Sequence, residues 1–236
     1  GINMLSIRHL AIAVSLCFQA SCMTLQPAPT ERLDTTLNNW QNVYDYGEAA
    51  LTDDGIALMS TANFFYLSKQ QYSDFELDFE IKMPQTEEYS NSGMIFRAQI
   101  IDQRGGRFAI GYQAEVDPSE RRWSGGLYEQ GTIRKWLHPI HKTRSKHDAN
   151  FINNLSPQWD APKQQAYKHL EWNHYKVRAV GHEIKIWVND VLTTHVIDEA
   201  FRRGYIGLQH HGSKAFETEG DRHNTVHFRN IYIKSL

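Results

Sequence analysis

The residues best suited to move protons or hold a polar ligand lie between Ser92 and Gln130. At their centre is Phe108-Ala109-Ile110-Gly111-Tyr112-Gln113-Ala114-Glu115-Val116-Asp117. Side chains of a strand alternate between its faces with a period of two. Phe108, Ile110, Tyr112, Ala114 and Val116 therefore share one face, and Ala109, Gly111, Gln113, Glu115 and Asp117 the other. An apolar row backing a Gln, Glu, Asp row marks a strand with one face on a core and one toward water or a cleft. Glu115 and Asp117 lie two apart, ~7 Å by strand rise, a spacing open to a proton shuttle or to two-carboxylate hydrolysis. Ser92-Gly93-Met94-Ile95-Phe96-Arg97-Ala98-Gln99 precedes them, across a Gly105-Gly106 turn. Paired as a hairpin, it would add Arg97 and Gln99 to the polar surface. Small residues beside the carboxylates, Ala109, Gly111, Gly125 and Gly126, let a ligand approach the backbone. Trp123, Tyr128 and Glu129 follow closely, and aromatic rings next to carboxylates suit the gripping of sugar rings. The surface reads as a candidate site, with a half-solvated sheet face as the plainer alternative.

Further candidates stand away from this strand. Gly204 to Gly212 reads as a short strand ending in His210-His211, two more proton-transfer groups. They cannot share one face, so at least one is structural. Arg97 and Asp117 have a duller reading as an ion pair, and Asp117 another as part of a turn with Pro118-Ser119. His138, His141, His147 and Asp148 fall within Lys135 to Tyr167, which lacks sustained periodicity. Pro139 and the irregular spacing fit no closed metal motif, so this stretch reads as a solvated lid. Glu217, Glu219 and Asp221 form the best acidic loop for calcium, within a polar loop from Ser213 to Asn224. No cofactor and no obligatory metal are expected. A divalent ion held by Glu115 with His210 or His211 is the alternative.

The elements that position these residues read as strands. Phe75-Glu76-Leu77-Asp78-Phe79-Glu80-Ile81-Lys82-Met83 alternates apolar and charged residues up to Pro84, the pattern of a strand with one buried face. Trp172 to Val180, Glu183 to Val188, Val191 to Ile197 and Val226 to Ile233 follow, with a phase shift at Arg229-Asn230 that predicts a β-bulge. About a dozen short strands and no long helix predict an all-β fold, a single-domain antiparallel β-sandwich.

Length and composition bound the class. The 236 residues, 41% hydrophobic, suffice for one large β domain, and a formal charge of -2 favours neither nucleic acid nor an anionic surface as partner. Twelve histidines make the charge sensitive to pH between about 5 and 8. Arg8 and His9, the apolar Leu10 to Phe18 and Ala20-Ser21-Cys22 read as an export signal over residues 1–22, too short to span a bilayer. Cys22 sits as in a bacterial lipobox, which would make the protein a periplasmic or outer-membrane lipoprotein held by a lipid anchor; Gln19 departs from the aliphatic residue usual there. Residues 23–32, with Pro27 and Pro29, read as a linker, and 33–236 as the domain. Signal removal leaves at most Cys22, so no internal disulfide is expected.

Seven motifs occur in order: Asn91-Ser92-Gly93-Met94-Ile95-Phe96-Arg97, Gly111 to Asp117, Ser124-Gly125-Gly126-Leu127-Tyr128, Trp172-Asn173-His174-Tyr175, Ile186-Trp187-Val188-Asn189-Asp190, Gly204 to Gln209, and Phe228-Arg229-Asn230-Ile231. With them the chain from Leu33 to Leu236 resembles the bacterial 3-keto-disaccharide hydrolase family. The resemblance implies a concanavalin A-like jelly roll with a sugar cleft on its concave side. It also implies an exported enzyme that cleaves glycosides already oxidised at C3. A C3 ketone acidifies the C2 hydrogen, so the bond can break by elimination and hydration, or by direct hydrolysis. On that reading Glu115, Asp117, Glu129, His210 and His211 would transfer protons, and Arg97 and Tyr128 would hold oxygens. Trp123 would stack on a sugar, with Gln113 and Gln99 as further substrate contacts. The rival expectation is a carbohydrate-binding, lectin-like module without catalysis, and a third is a structural envelope protein.

Overall fold

The computed structural model describes residues 28–103, 105–146 and 152–236. The first strands are β1 (Thr30–Arg32), β2 (Trp40–Gln41), β3 (Glu48–Thr52), β4 (Gly55–Met59), β5 (Phe64–Tyr72), β6 (Phe75–Lys82), β7 (Ser92–Gln103) and β8 (Gly106–Val116). β9 (Leu127–Gln130), β10 (Lys135–His138) and β11 (Ile152–Asn154) lead to a short helix, α1 (Ala161–Gln165). β12 (Asn173–Val180), β13 (Glu183–Val188), β14 (Val191–Asp198), β15 (Gly204–His210), α2 (Lys214–Glu219) and β16 (Val226–Ser235) complete the chain. A nine-stranded sheet runs β11-β14-β13-β12-β6-β16-β4-β3, with β1 added on β16, and a seven-stranded sheet runs β10-β9-β8-β7-β15-β5-β2. The strand pairings of both sheets are antiparallel. This is the all-β antiparallel sandwich that the alternating pattern predicts, of the jelly-roll type that the family resemblance implies.

Alternation builds the core. In β6, Phe75, Leu77, Phe79 and Ile81 are buried while Glu76, Asp78 and Glu80 stay partly exposed. Phe79 stacks on Tyr175 of β12 at 5.1 Å, and Phe75 meets Phe96 of β7 edge-on at 6.1 Å, which joins the two sheets. Each such ring contributes about 1.5–3 kcal/mol by leaving water. Phe96 pairs with Tyr112, so Tyr112, Ala114 and Val116 face the core and Gln113 and Glu115 face away from the nine-stranded sheet. Both cysteines precede the described residues, so burial and hydrogen bonding hold what is described.

Several boundaries differ from the sequence expectation. The chain joins the sheet inside the expected linker, where Thr30–Arg32 pairs with β16. The stretch read as a lid contains β10 and β11, edge strands of the two sheets, and α1. The polar loop after Gly212 contains α2: Ser213 caps it by accepting the N–H of Phe216 at 3.0 Å, and Gly220 ends it at φ 69°. That helix removes the extended spacing on which a calcium loop at Glu217, Glu219 and Asp221 depended. The bulge near Arg229 is present, with the register shift falling between Arg229 and Tyr232. The export signal, Cys22, residues 23–27 of the linker, and His147-Asp148 lie outside the described residues.

Candidate functional site

The outer face of the seven-stranded sheet holds a cavity of about 210 Å³. β8 supplies Gln113 and Glu115, β9 supplies Tyr128 and Gln130, and β10 supplies Trp136. Tyr128 stands opposite both Gln113 and Trp136 in the sheet, which brings all three to one face. Gln209 comes from β15 and His211 from just beyond its end, while loops add Asn63, Tyr89, Asn91, Arg121 and Arg144.

A chain of amides crosses the cavity floor. Gln113 Nε2 donates to Gln209 Oε1 at 2.5 Å, and Gln209 Nε2 donates to Asn63 Oδ1 at 2.8 Å. At one wall the Tyr89 hydroxyl accepts from Asn91 Nδ2 at 2.9 Å and from Arg121 Nη2 at 3.3 Å, and its ring meets His211 edge-on at 5.2 Å. Buried polar groups are normally paired. Among the described residues five buried side-chain atoms lack a hydrogen-bond partner, and four of them belong to residues lining this cavity. They are Gln113 Oε1, Glu115 Oε2, Asn91 Oδ1 and His211 Nδ1.

Electrostatics separate the two titratable groups among them. Glu115 is 4% exposed, and burial, with Asp117 nearby, pushes its carboxyl well above the usual range against a partial pull from Arg121. Burial lowers the His211 imidazole. A carboxyl pushed up and an imidazole pushed down, both lining one cavity, suit an acid and a base on one site. Burial first, and Glu115 nearby, raise the Tyr128 phenol, so it remains a donor.

The sequence candidates divide. Glu115, Gln113, Tyr128 and His211 meet in the cavity. Arg97 does not: the β7 bulge at φ 50° turns its side chain inward, where it donates to the carbonyls of Ser73 at 2.8 Å and Phe201 at 3.2 Å. It pairs with Asp74 at 3.5 Å, not with Asp117. Gln99, shifted by the same bulge, donates to the Arg203 carbonyl at 2.5 Å. Asp117 is buried in a turn, paired with Arg121 at 2.9 Å and accepting the Ser119 N–H at 3.1 Å. Glu129 pairs across the sheet with Tyr112 and so faces the core, bonded to Arg134 and Thr132. His210 also faces inward, its Nε2 at 2.7 Å from the Asn224 carbonyl and its Nδ1 accepting the Gly212 N–H at 3.0 Å. Trp123 sits behind the wall, edge-on to Trp136 at 4.8 Å, and Trp136 takes the lining position instead.

Asn63, Tyr89, Asn91, Arg121, Gln130, Trp136, Arg144 and Gln209 are the residues that strand alternation missed. Gln209 was findable, since it sits in phase with His211 on one strand face. The loop residues carry no periodic signal. No cluster of three His, Cys, Asp or Glu able to hold a metal occurs among the described residues. His210 faces the core, so of the residues read from the sequence as holding a divalent ion Glu115 and His211 line the cavity. His138 is likewise committed, with Nε2 at 3.0 Å from the Thr193 carbonyl and Nδ1 at 2.8 Å from Asn154.

A jelly-roll sandwich with a carboxyl-floored polar cavity on its outer sheet face defines the class. The chain belongs to the family of 3-keto-alpha-glucoside-1,2-lyase-like domains, which matches residues 31–234. Among solved structures it is similar to the carbohydrate binding module CBM66 from Bacillus subtilis, at 21% identity and a TM-score of 0.53 over 84% of this chain and 96% of that one. It is similar to a candidate glycosyl hydrolase from Parabacteroides distasonis ATCC 8503, at 16% identity and a TM-score of 0.53 over 84% and 88%. A Bacillus subtilis protein of unknown function with a galectin-like fold gives 10% identity and a TM-score of 0.54 over 88% and 94%. At these identities the three share the fold. Comparison with proteins of curated function returned no match.

Proposed function

We propose that this chain cleaves the glycosidic bond of 3-keto-glycosides by elimination, with His211 as base and Glu115 as acid. The observation that carries the reading is that Glu115 and His211, each with a buried side-chain atom lacking a partner, line one cavity. Family membership supplies the substrate class. His211 takes the proton from C2, which the C3 ketone acidifies. The C2–H electron pair forms a C1=C2 bond as the C1–O bond breaks, and Glu115 gives its proton to the departing oxygen. Arg121 and the Asn91 amide nitrogen also line the cavity and would supply donors to the C3 ketone oxygen, and solvent returns the proton from His211 to Glu115. Water added later across C1=C2 would make the net reaction a hydrolysis. Direct hydrolysis through two carboxylates is less well supported, because Glu115 is the single carboxylate among the residues lining the cavity.

The test is product analysis on the full chain with 3-keto and unoxidised α-glucosides. Elimination yields an unsaturated ketone that absorbs in the ultraviolet, releases the aglycone and removes the C2 hydrogen, so that in heavy water the hydrated product carries deuterium at C2. Full turnover by folded Glu115→Gln would remove Glu115 from its role. Binding of unoxidised sugar with no product from either substrate would favour the carbohydrate-binding reading, which the likeness to a binding module keeps as the alternative. From the sequence alone we extend the proposal to an exported protein, lipid-anchored at Cys22; mass spectrometry of the membrane-extracted protein checks the lipid.

A further inference from the structure

The cavity over Glu115 adjoins two others of opposite character. Asn63 and Gln130 line it and also line a second cavity of about 350 Å³. The second cavity is walled chiefly by Tyr44, Tyr46, Ile101, Phe108 and Ile110, with Gln103 as its one polar side chain besides the shared pair and the two phenols. Tyr44 meets Phe108 edge-on at 6.0 Å and packs tilted on Tyr46 at 5.5 Å. Both phenol hydroxyls are engaged with backbone: that of Tyr44 accepts the Ala109 N–H at 3.0 Å, and that of Tyr46 donates to the Asn63 carbonyl at 2.9 Å. Tyr46, Ile101, Phe108 and Ile110 are only half-buried, so apolar surface faces the space. On the other side, past Tyr89, lies a groove of about 200 Å³ whose Thr86, Glu88, Ser90, Ser119 and His169 make it polar.

We infer that the Tyr44–Phe108 chamber is the leaving-group subsite, and that it takes a flat apolar ring rather than a second sugar. The inference rests on the elimination reading for the placement of the oxidised ring over Glu115. A sugar moved into this chamber would give up hydrogen bonds to water around its whole ring and find three side-chain amides, those of Asn63, Gln103 and Gln130, in return. An aromatic ring would bury apolar area against three rings and two isoleucines. Space suffices, because an apolar cavity of about 150 Å³ already holds benzene. Asn63 and Gln130, shared by both cavities, stand where the glycosidic link would cross. Their amides offer that link polar contacts at the one point where it needs them.

The test compares benzyl with methyl 3-keto-α-glucoside on the full chain, since the two leaving alcohols are of similar acidity and differ by the ring. The expected kcat/KM ratio is about tenfold in favour of benzyl, the scale of one aromatic contact, carried mostly in KM. Phe108→Ala should bring the ratio toward one, and the milder Ile110→Thr should lower it without risk to the fold. A ratio near one in the native protein, or one that neither variant moves, overturns the chamber. So does a 3-keto disaccharide that outruns the benzyl substrate, which would assign the leaving group to the polar groove. Calorimetry with unoxidised benzyl and methyl α-glucosides separates the two levels. If no 3-keto-glucoside is cleaved, elimination fails, while tighter benzyl binding that weakens in Ile110→Thr would still support the chamber, and equal binding would end it.

Discussion

Replacing Glu115 by Gln keeps the side chain's shape and removes its ability to ionise, so the variant should be the more stable protein at alkaline pH. The folded carboxyl is buried, its Oε2 has no partner, and Asp117 adds a second negative charge nearby. Its folded pKa therefore lies above the ordinary 4.5. For a raised carboxyl the stabilisation is fully present below the unfolded value and is lost as pH climbs through the folded one. The uncharged amide of the variant carries no such dependence. The two proteins should melt at similar temperatures at pH 4, and Glu115→Gln should lead increasingly toward pH 8. An unsatisfied buried polar group costs about 1–3 kcal/mol, more when charged. At roughly 2–4 °C per kcal/mol for a domain of this size, the lead at pH 8 should be about 2–12 °C. Calorimetric melts of both proteins at pH 4, 6 and 8 measure it. A difference that is flat with pH, or a less stable amide variant at pH 8, would refute the raised carboxyl and with it the acid role.

Three further outcomes follow from the same geometry. The kcat/KM profile should be bell-shaped, falling in acid as His211, lowered from 6.5, gains its proton and falling in base as Glu115 loses its own; His211→Gln should cost most of the turnover and leave any residual rate without the acid limb. Arg97→Met should cost about 1–3 kcal/mol in urea unfolding, because the Ser73 and Phe201 carbonyls lose their donor, with unchanged turnover per folded molecule. Gly125→Ala should destabilise by about 1–3 kcal/mol on the same assay, since φ is 86° there and a Cβ would come within 2.4 Å of Thr193 Oγ1.

The parts legible in the sequence are those that repeat. Phe75 to Lys82 declared its buried face because the core demands every second residue, and Gln113 and Glu115 were placed by the same rule. Alternation fails where one residue is inserted. The bulge after Phe96 moved Arg97 from the expected polar face to the interior, and no residue type in that run announces it. Glu129 failed for a related reason: its face is set by its pairing with Tyr112 across two strands, which is tertiary information. Trp136 and Arg144 were hidden within a stretch whose Pro139 and scattered histidines mask an edge strand. Asp117 was read correctly in one of its alternatives, the turn with Pro118-Ser119, since an Asp before Pro-Ser can accept from the backbone two residues on.

Thr30 stands opposite Lys234, so the first and last strands lie side by side in the nine-stranded sheet. The cavity on the other sheet draws its residues from the interval 63–211. Beginning and end of the fold are thus neighbours, and neither belongs to the site. A circular permutant with those ends joined by a short flexible linker, and new ends opened at the exposed Asp53-Asp54 turn, would keep every cavity residue on one uninterrupted segment. The same adjacency allows a fusion partner or a solid support at either end without redesign of the cleft.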